Sequence, residues 1–278
     1  MTTLHYLDPN PSGRPAVLLL HGLGANCVSW TLQLPPLSEA GFRPIAPDAP
    51  GFGKSPYDGR GWSIAHAAAA MADLLEELQS GAAHVVGISM GGVIAQQLAL
   101  DFPHLIQKLV LVNTFAVLRP DSLSGWLYYA WRLALVHTLG LPAQARVVTR
   151  RIFALKEQEE LRRMLMDTIM QANPRAYRAA MRALGLFDSR KRLGEIKAPT
   201  LVITSSYDTT VSPIRQGLLV EGIAGARQAV IEEAGHAVSV DSPERFNREL
   251  LGFLQQRFPC PNPAPVTWAS PLKGRPAR

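Results

Sequence analysis

A chain of 278 residues, 47% apolar and 18% charged, is long enough for one sizeable core and too apolar for a disordered chain. Two cysteines, Cys27 and Cys260, rule out a disulfide scaffold and a cysteine-rich metal site. The net charge of +6 is local, because residues 115–195 hold 14 Lys and Arg against 7 Asp and Glu. Arg175, Arg178 and Arg182 recur there at helical spacing, which reads as a solvated helix face and not as a nucleic-acid surface.

Met1 to Asn10 has no basic stretch followed by an apolar run, so no secretory leader is expected. The apolar stretch 126–141 is broken by Arg132 and His137, too short and too polar to span a bilayer. The expectation is a cytoplasmic protein with no nucleic-acid partner, no stable membrane insertion and no predicted oligomeric state.

In chain order, Thr2 to Leu7 predicts a short strand, and Ala16 to Leu20 a buried parallel strand ending in His21-Gly22-Leu23-Gly24. A helix is expected from about Trp30 to Glu39, then a strand over Arg43 to Pro47. The loop Asp48-Ala49-Pro50-Gly51-Phe52-Gly53-Lys54-Ser55 follows. Ser63 predicts the N-cap of a long alanine-rich helix reaching about Gln79. Ala83 to Ile88 predicts a strand, Gly92 to Phe102 a helix and Ile106 to Val112 another strand. Between residues 115 and 195 strands vanish and long helical patterns take over, which predicts an inserted helical cap. Strands return at Thr200 to Thr204 and Arg227 to Ile231, and Ser242 to Phe258 predicts a closing helix. Asp241 is expected to cap that helix. Residues 259–278, rich in proline, read as a tail. The fold class is therefore α/β, with a mostly parallel sheet covered on both faces; the core spans 1–114 and 196–258.

The chemistry centres on Gly87-Ile88-Ser89-Met90-Gly91. A G-x-S-x-G pentapeptide between a strand and a helix predicts a turn so sharp that glycine is needed on both sides of the serine. The serine hydroxyl then stands at the strand's C-terminal end, with free helix N–H groups behind it. A serine needs a base to take its proton, and the base needs an acid to orient it. Asp208 and His236 follow in the order expected for this turn, each on a loop at the C-terminal end of a strand. His21 is expected to brace its loop, and Cys27 to be a packing residue. The position after strand Ile106–Val112, the other place for an acid, holds Asn113. Leu23 and Met90 are the candidate N–H donors for an oxyanion.

With these motifs in hand, the chain resembles the α/β-hydrolase superfamily. The matching pieces are the His21-Gly22 loop, Asp48 to Ser55, the Ser89 turn, Asp208 and Gly235-His236. It looks most like esterases and enol-lactonases of the 3-oxoadipate kind, and also like meta-cleavage C–C hydrolases. The resemblance implies a Ser89–Asp208–His236 triad, a Leu23 and Met90 oxyanion hole, no metal and no organic cofactor. It implies a small-molecule ester or lactone as substrate. Trp126, Tyr129 and Met164 are the candidate pocket residues. The rival expectations are C–C bond hydrolysis by the same triad, and a weakly catalytic ligand receptor that signals through its cap. The antiparallel N-terminal strands of fuller relatives are expected to be cut short.

Overall fold

The computed structural model describes residues 4–59, 61–118 and 122–256. Its strands are β1 (Tyr6–Leu7), β2 (Ala16–Leu20), β3 (Arg43–Pro47), β4 (Ala83–Ile88), β5 (Ile106–Val112), β6 (Thr200–Ser205) and β7 (Arg227–Ile231). They form one sheet in the order β1-β3-β2-β4-β5-β6-β7. All neighbours are parallel except β1, a two-residue antiparallel edge strand on β3.

The short apolar runs form strands because both of their faces are buried. Leu18, Leu20, Val85, Leu109 and Leu111 point into one core. Val17, Leu19, Val86, Val110 and Val112 point into the other. This period of two splits each run between two layers, and each fully buried Leu or Val contributes about 1.5–3 kcal/mol. The first layer is closed by α2 (Ile64–Glu77) and α3 (Met90–Asp101), the second by α1 (Leu34–Glu39) and α10 (Pro243–Leu254). In α2, Ile64, Ala67, Ala68, Met71, Ala72 and Leu75 are buried along one stripe. Ser63 Oγ caps it, accepting from His66 N at 3.1 Å. Edge strand β7 is mostly exposed, with only Ile231 buried.

Between β5 and β6 stand α4 (Leu123–Thr138), α5 (Gly140–Ile152), α6 (Glu159–Gln171) and α7 (Pro174–Leu186). In α7, Ala176, Tyr177, Ala180, Met181 and Leu184 face inward. Arg175 and Arg182 are exposed and Arg178 half-buried, as the helical spacing implied. The helix expected over Trp30–Glu39 is instead a 3-10 turn, Cys27–Trp30, followed by α1. The closing helix expected from Ser242 is α10, preceded by a short separate helix, α9 (Val238–Asp241), while α8 (Pro213–Gly222) precedes β7. Asp241 does not cap α10; Ser242 holds the N-cap position, and Asp241 turns back to accept from Gly235 N at 3.0 Å. The predicted tail lies outside the described residues.

Candidate active site

Ser89 joins β4 to α3 with φ 54° and ψ −114°. A left-handed non-glycine residue costs about 1–3 kcal/mol and persists only when its surroundings hold it. Ser89 N donates to Val112 O at 3.0 Å, and Ser89 O accepts from Thr114 Oγ1 at 2.7 Å and Val93 N at 3.2 Å. The flanking glycines are required by contact. A Cβ on Gly87 would meet Gly92 N at 2.6 Å, and one on Gly91 would meet His21 O at 2.8 Å and overlap the Leu20 carbonyl. Ser89 stays partly exposed while Met90 is fully buried.

Asp208, on the loop after β6, and His236, after β7, are both buried. His236 Nδ1 lies 2.9 Å from Asp208 Oδ2. Asp208 Oδ1 accepts from Thr210 N at 2.7 Å and Val211 N at 3.0 Å, so both carboxylate oxygens are engaged. With Nδ1 given to Asp208, His236 presents Nε2 as its free edge. Ser89 Oγ and His236 Nε2 do not form a hydrogen bond, and neither atom has another partner among the described residues.

Asn113 ties these pieces together. It is fully buried at φ 43°, in the residue after the Val112 carbonyl that holds Ser89. Its Nδ2 donates to His236 O at 2.9 Å, Gly235 O at 3.2 Å and Ser205 Oγ at 2.8 Å. Its Oδ1 accepts from Ser205 N at 3.0 Å. Sequence reading weighed this position only as a place for an acid. The missed signal was the side chain's fit to a left-handed site, which asparagine tolerates better than most residues. Asp241 is a second carboxyl near the histidine. Burial raises its pKa, against the Gly235 N–H and the His236 charge, and its Oδ1 has no hydrogen-bond partner among the described residues.

The Gly22–Gly24 loop lies beside Ser89: a Cβ on Gly22 would come within 3.6 Å of Ser89 Cβ. His21 braces that loop. Its Nε2 accepts from Ala49 N at 3.0 Å, which leaves the proton on Nδ1 to donate to Gly22 O at 2.8 Å. Burial lowers the His21 pKa, in keeping with this neutral tautomer. Leu23 is half-buried. Neither Leu23 N–H nor Met90 N–H has a hydrogen-bond partner among the described residues. Behind the loop, Asp48 Oδ1 accepts from Cys27 N at 2.7 Å and Oδ2 from Lys54 N at 2.9 Å. Burial works to raise the Asp48 pKa, but these N–H groups outweigh it and hold the carboxyl below its ordinary value.

The helical segment packs on the same loops. Tyr177 and Ile169 abut Gly24, and Ala176 abuts Gly51. Arg151 and Thr209 bond reciprocally: Arg151 Nε donates to Thr209 O at 3.1 Å, and Thr209 Oγ1 to Arg151 O at 3.2 Å. The Arg151 guanidinium also lies 5.2 Å from the Tyr128 ring centre. Of the candidate pocket residues, Trp126 and Met164 are 43% and 53% exposed. Tyr129 is half-buried, with its hydroxyl donating to Met181 O at 3.3 Å.

Comparison with known proteins matches residues 15–243 to the α/β hydrolase fold family. A Variovorax paradoxus (strain S110) protein, provisionally named carbamate hydrolase RutD, is 36% identical, with 90% of this chain and 96% of that protein covered. The 2-hydroxy-6-oxo-6-phenylhexa-2,4-dienoate hydrolase of Comamonas testosteroni is 31% identical over 91% and 92% of the two chains. The enol-lactonase structure from Burkholderia xenovorans LB400 superposes with a TM-score of 0.83 at 27% identity, covering 92% of this chain and 97% of that one. Among the described residues no helix is long and apolar enough to cross a membrane. The sheet order, the turn at Ser89 and these relatives agree: the chain belongs to the α/β-hydrolase superfamily.

Proposed function

We propose that this chain is a serine hydrolase that cleaves a small, largely apolar carboxylic ester or lactone through an acyl-serine intermediate. The observation that carries the reading is the 2.9 Å bond between His236 Nδ1 and the buried Asp208 carboxylate, on loops tied by Asn113 to the strand that holds Ser89. In this reading His236 Nε2 takes the Ser89 proton as Oγ attacks the carbonyl carbon. Asp208 fixes the tautomer and offsets the imidazolium charge. The Leu23 and Met90 N–H groups face the tetrahedral oxyanion, each worth about 10²–10³ in turnover. The protonated His236 then gives its proton to the leaving alkoxide. Water, deprotonated by the same nitrogen, attacks the acyl-serine and frees the acid. Residues 115–195 act as a cap over the site, supported by the contacts of Ile169, Ala176 and Tyr177 with the loops below.

The Comamonas relative favours a second reading, C–C bond hydrolysis by the same residues. The first experiment is labelling with a fluorophosphonate, read by intact mass. One adduct is expected on the parent, none on Ser89→Ala and slowed labelling on His236→Ala. An adduct that persists in Ser89→Ala refutes the assignment. Panels of esters, lactones, a carbamate and a vinylogous diketone then separate the substrate classes. Turnover of the diketone alone favours the second reading.

A further inference from the structure

Behind the Gly22–Gly24 loop, outside the proposed hydrolytic chemistry, three reactive side chains converge from separate segments. His5 precedes β1, Cys27 opens the 3-10 turn and Asp48 follows β3. His5 Nδ1 lies 2.8 Å from Asp48 Oδ2 and 3.8 Å from Cys27 Sγ. One donor atom from each residue falls within 4.8 Å of the other two. Sequence spacing gave Cys27 no histidine partner; the fold brings His5 to it across the first sheet edge.

A second nucleophile is the obvious alternative, and the geometry opposes it. A Cys–His–Asp relay needs the thiol on one ring nitrogen and the carboxylate on the other. Here the same atom, Nδ1, faces both. The thiol pKa is pushed up to about 12, by burial first and then by the Asp48 charge, the reverse of an activated cysteine. Three donors turned toward a common centre, and not strung in a line, make a coordination arrangement.

The dimensions agree. A zinc-like ion bound tetrahedrally at about 2.0 Å to N and O and 2.3 Å to S sets its ligand atoms about 3.3–3.6 Å apart. The His5 distances of 2.8 and 3.8 Å lie on either side of that range and the third edge, Asp48 to Cys27 Sγ, is no longer than 4.8 Å, so shifts of about an ångström close the site. Outer support is already in place, because Cys27 N and Lys54 N hold the Asp48 carboxylate. The His5 side chain is 31% exposed, which leaves an entry path and room for a water as fourth ligand.

We propose that His5 Nδ1, Cys27 Sγ and Asp48 Oδ2 form a zinc-class metal site that staples three segments behind the oxyanion loop. The mixed sulfur, nitrogen and oxygen donors suit a borderline ion such as zinc, with cobalt as its spectroscopic stand-in. On binding, the hydrated ion gives up waters for the three ligands and the Cys27 thiol releases its proton to solvent. The proton that His5 Nδ1 now shares with Asp48 Oδ2 moves by way of solvent to Nε2, which frees Nδ1 for the ion, and no electrons move.

The test uses untagged full-length protein carrying Cys260→Ser, so that Cys27 is the only thiol. Cobalt(II) alone is titrated in. The expected result is one ion per chain, with a near-ultraviolet thiolate-to-cobalt band and tetrahedral visible bands, both abolished by zinc. Cys27→Ser should lose the sulfur band, and His5→Ala should weaken binding about 10–100-fold or more. Zinc should raise the Tm of the parent and not of Cys27→Ser. Circular dichroism and Ser89 labelling check that each variant is folded. Cobalt binding without a sulfur band, or affinity unchanged in His5→Ala, overturns the proposal.

Discussion

Asn113→Gly removes a side chain that makes four hydrogen bonds in a fully buried position. Its loss leaves Ser205 N, Gly235 O and His236 O without that partner. At about 1 kcal/mol per bond, the net cost is about 4 kcal/mol. For a chain of this size that lowers Tm by about 10 °C. Glycine adds no backbone strain at φ 43°, whereas Asn113→Ala adds about 1–2 kcal/mol more for a left-handed residue. Asn113→Asp is no rescue, because it turns a negative oxygen toward the Gly235 and His236 carbonyls. The second readout is chemical. Freed of its carbonyl tie, the His236 loop drifts, and a misplacement of about 1 Å costs about 10²-fold in rate. Thermal unfolding by circular dichroism and the rate of fluorophosphonate labelling measure the two effects. If Asn113→Gly melts within about 2 °C of the parent and labels at the parental rate, the tie has no such role.

Three further outcomes are expected. The His84 pKa is lowered from 6.5 to about 4, by burial first and then by the Lys108 charge. Its stabilising contribution is complete above pH 6.5 and lost as pH falls through 4, about 3 kcal/mol in all. Urea unfolding should show that loss in the parent and a flatter profile in His84→Leu; parallel profiles would contradict it. Gly91→Ala drives a Cβ into the Leu20 carbonyl, so soluble yield or Ser89 labelling should collapse, and a fully labelled, stable variant would deny the close approach. Asp208→Asn keeps an oxygen for the Thr210 and Val211 N–H groups, so Tm should barely change while ester turnover drops about 10⁴-fold; a small rate effect would remove Asp208 from the mechanism.

Much of this arrangement is legible in the chain because its signals are local. The runs Ala16–Leu20, Ala83–Ile88 and Ile106–Val112 are strands in the structure, and Gly87 and Gly91 sit where a sharp turn forbids a Cβ. Asp208 and His236 were placed on one edge of the sheet, and they meet there. What stayed hidden depends on long-range contact. Asn113 reaches Gly235 and His236 across more than a hundred residues, and His5 meets Asp48 across a sheet edge. The break between Cys27–Trp30 and α1, and the turning of Asp241 toward Gly235, follow from tertiary packing, which overrides local pattern. Helical periodicity in residues 115–195 foretold helices but not which way each face turns. Trp126 and Met164 therefore ended up well exposed.

The reciprocal bonds between Arg151 and Thr209 couple α5 to the loop that carries Asp208. Thr209 adjoins Asp208, so α5 and the loop that carries the carboxylate travel as one body. Raising α5 would break charged-donor hydrogen bonds of about 1.5 kcal/mol each at this exposed position, and would drag the carboxylate off its histidine. α6 and α7 are tied to the loops as well: Asn173 N, at the N-cap of α7, donates to Gly51 O at 2.8 Å, and Asn26 Nδ2 donates to Gln171 Oε1 at 3.4 Å, beside the packing of Ile169, Ala176 and Tyr177. The helical segment is therefore fastened at two places, to the Thr209 loop through α5 and to the Gly51 loop through Asn173, so moving either end strains a different loop of the sheet edge.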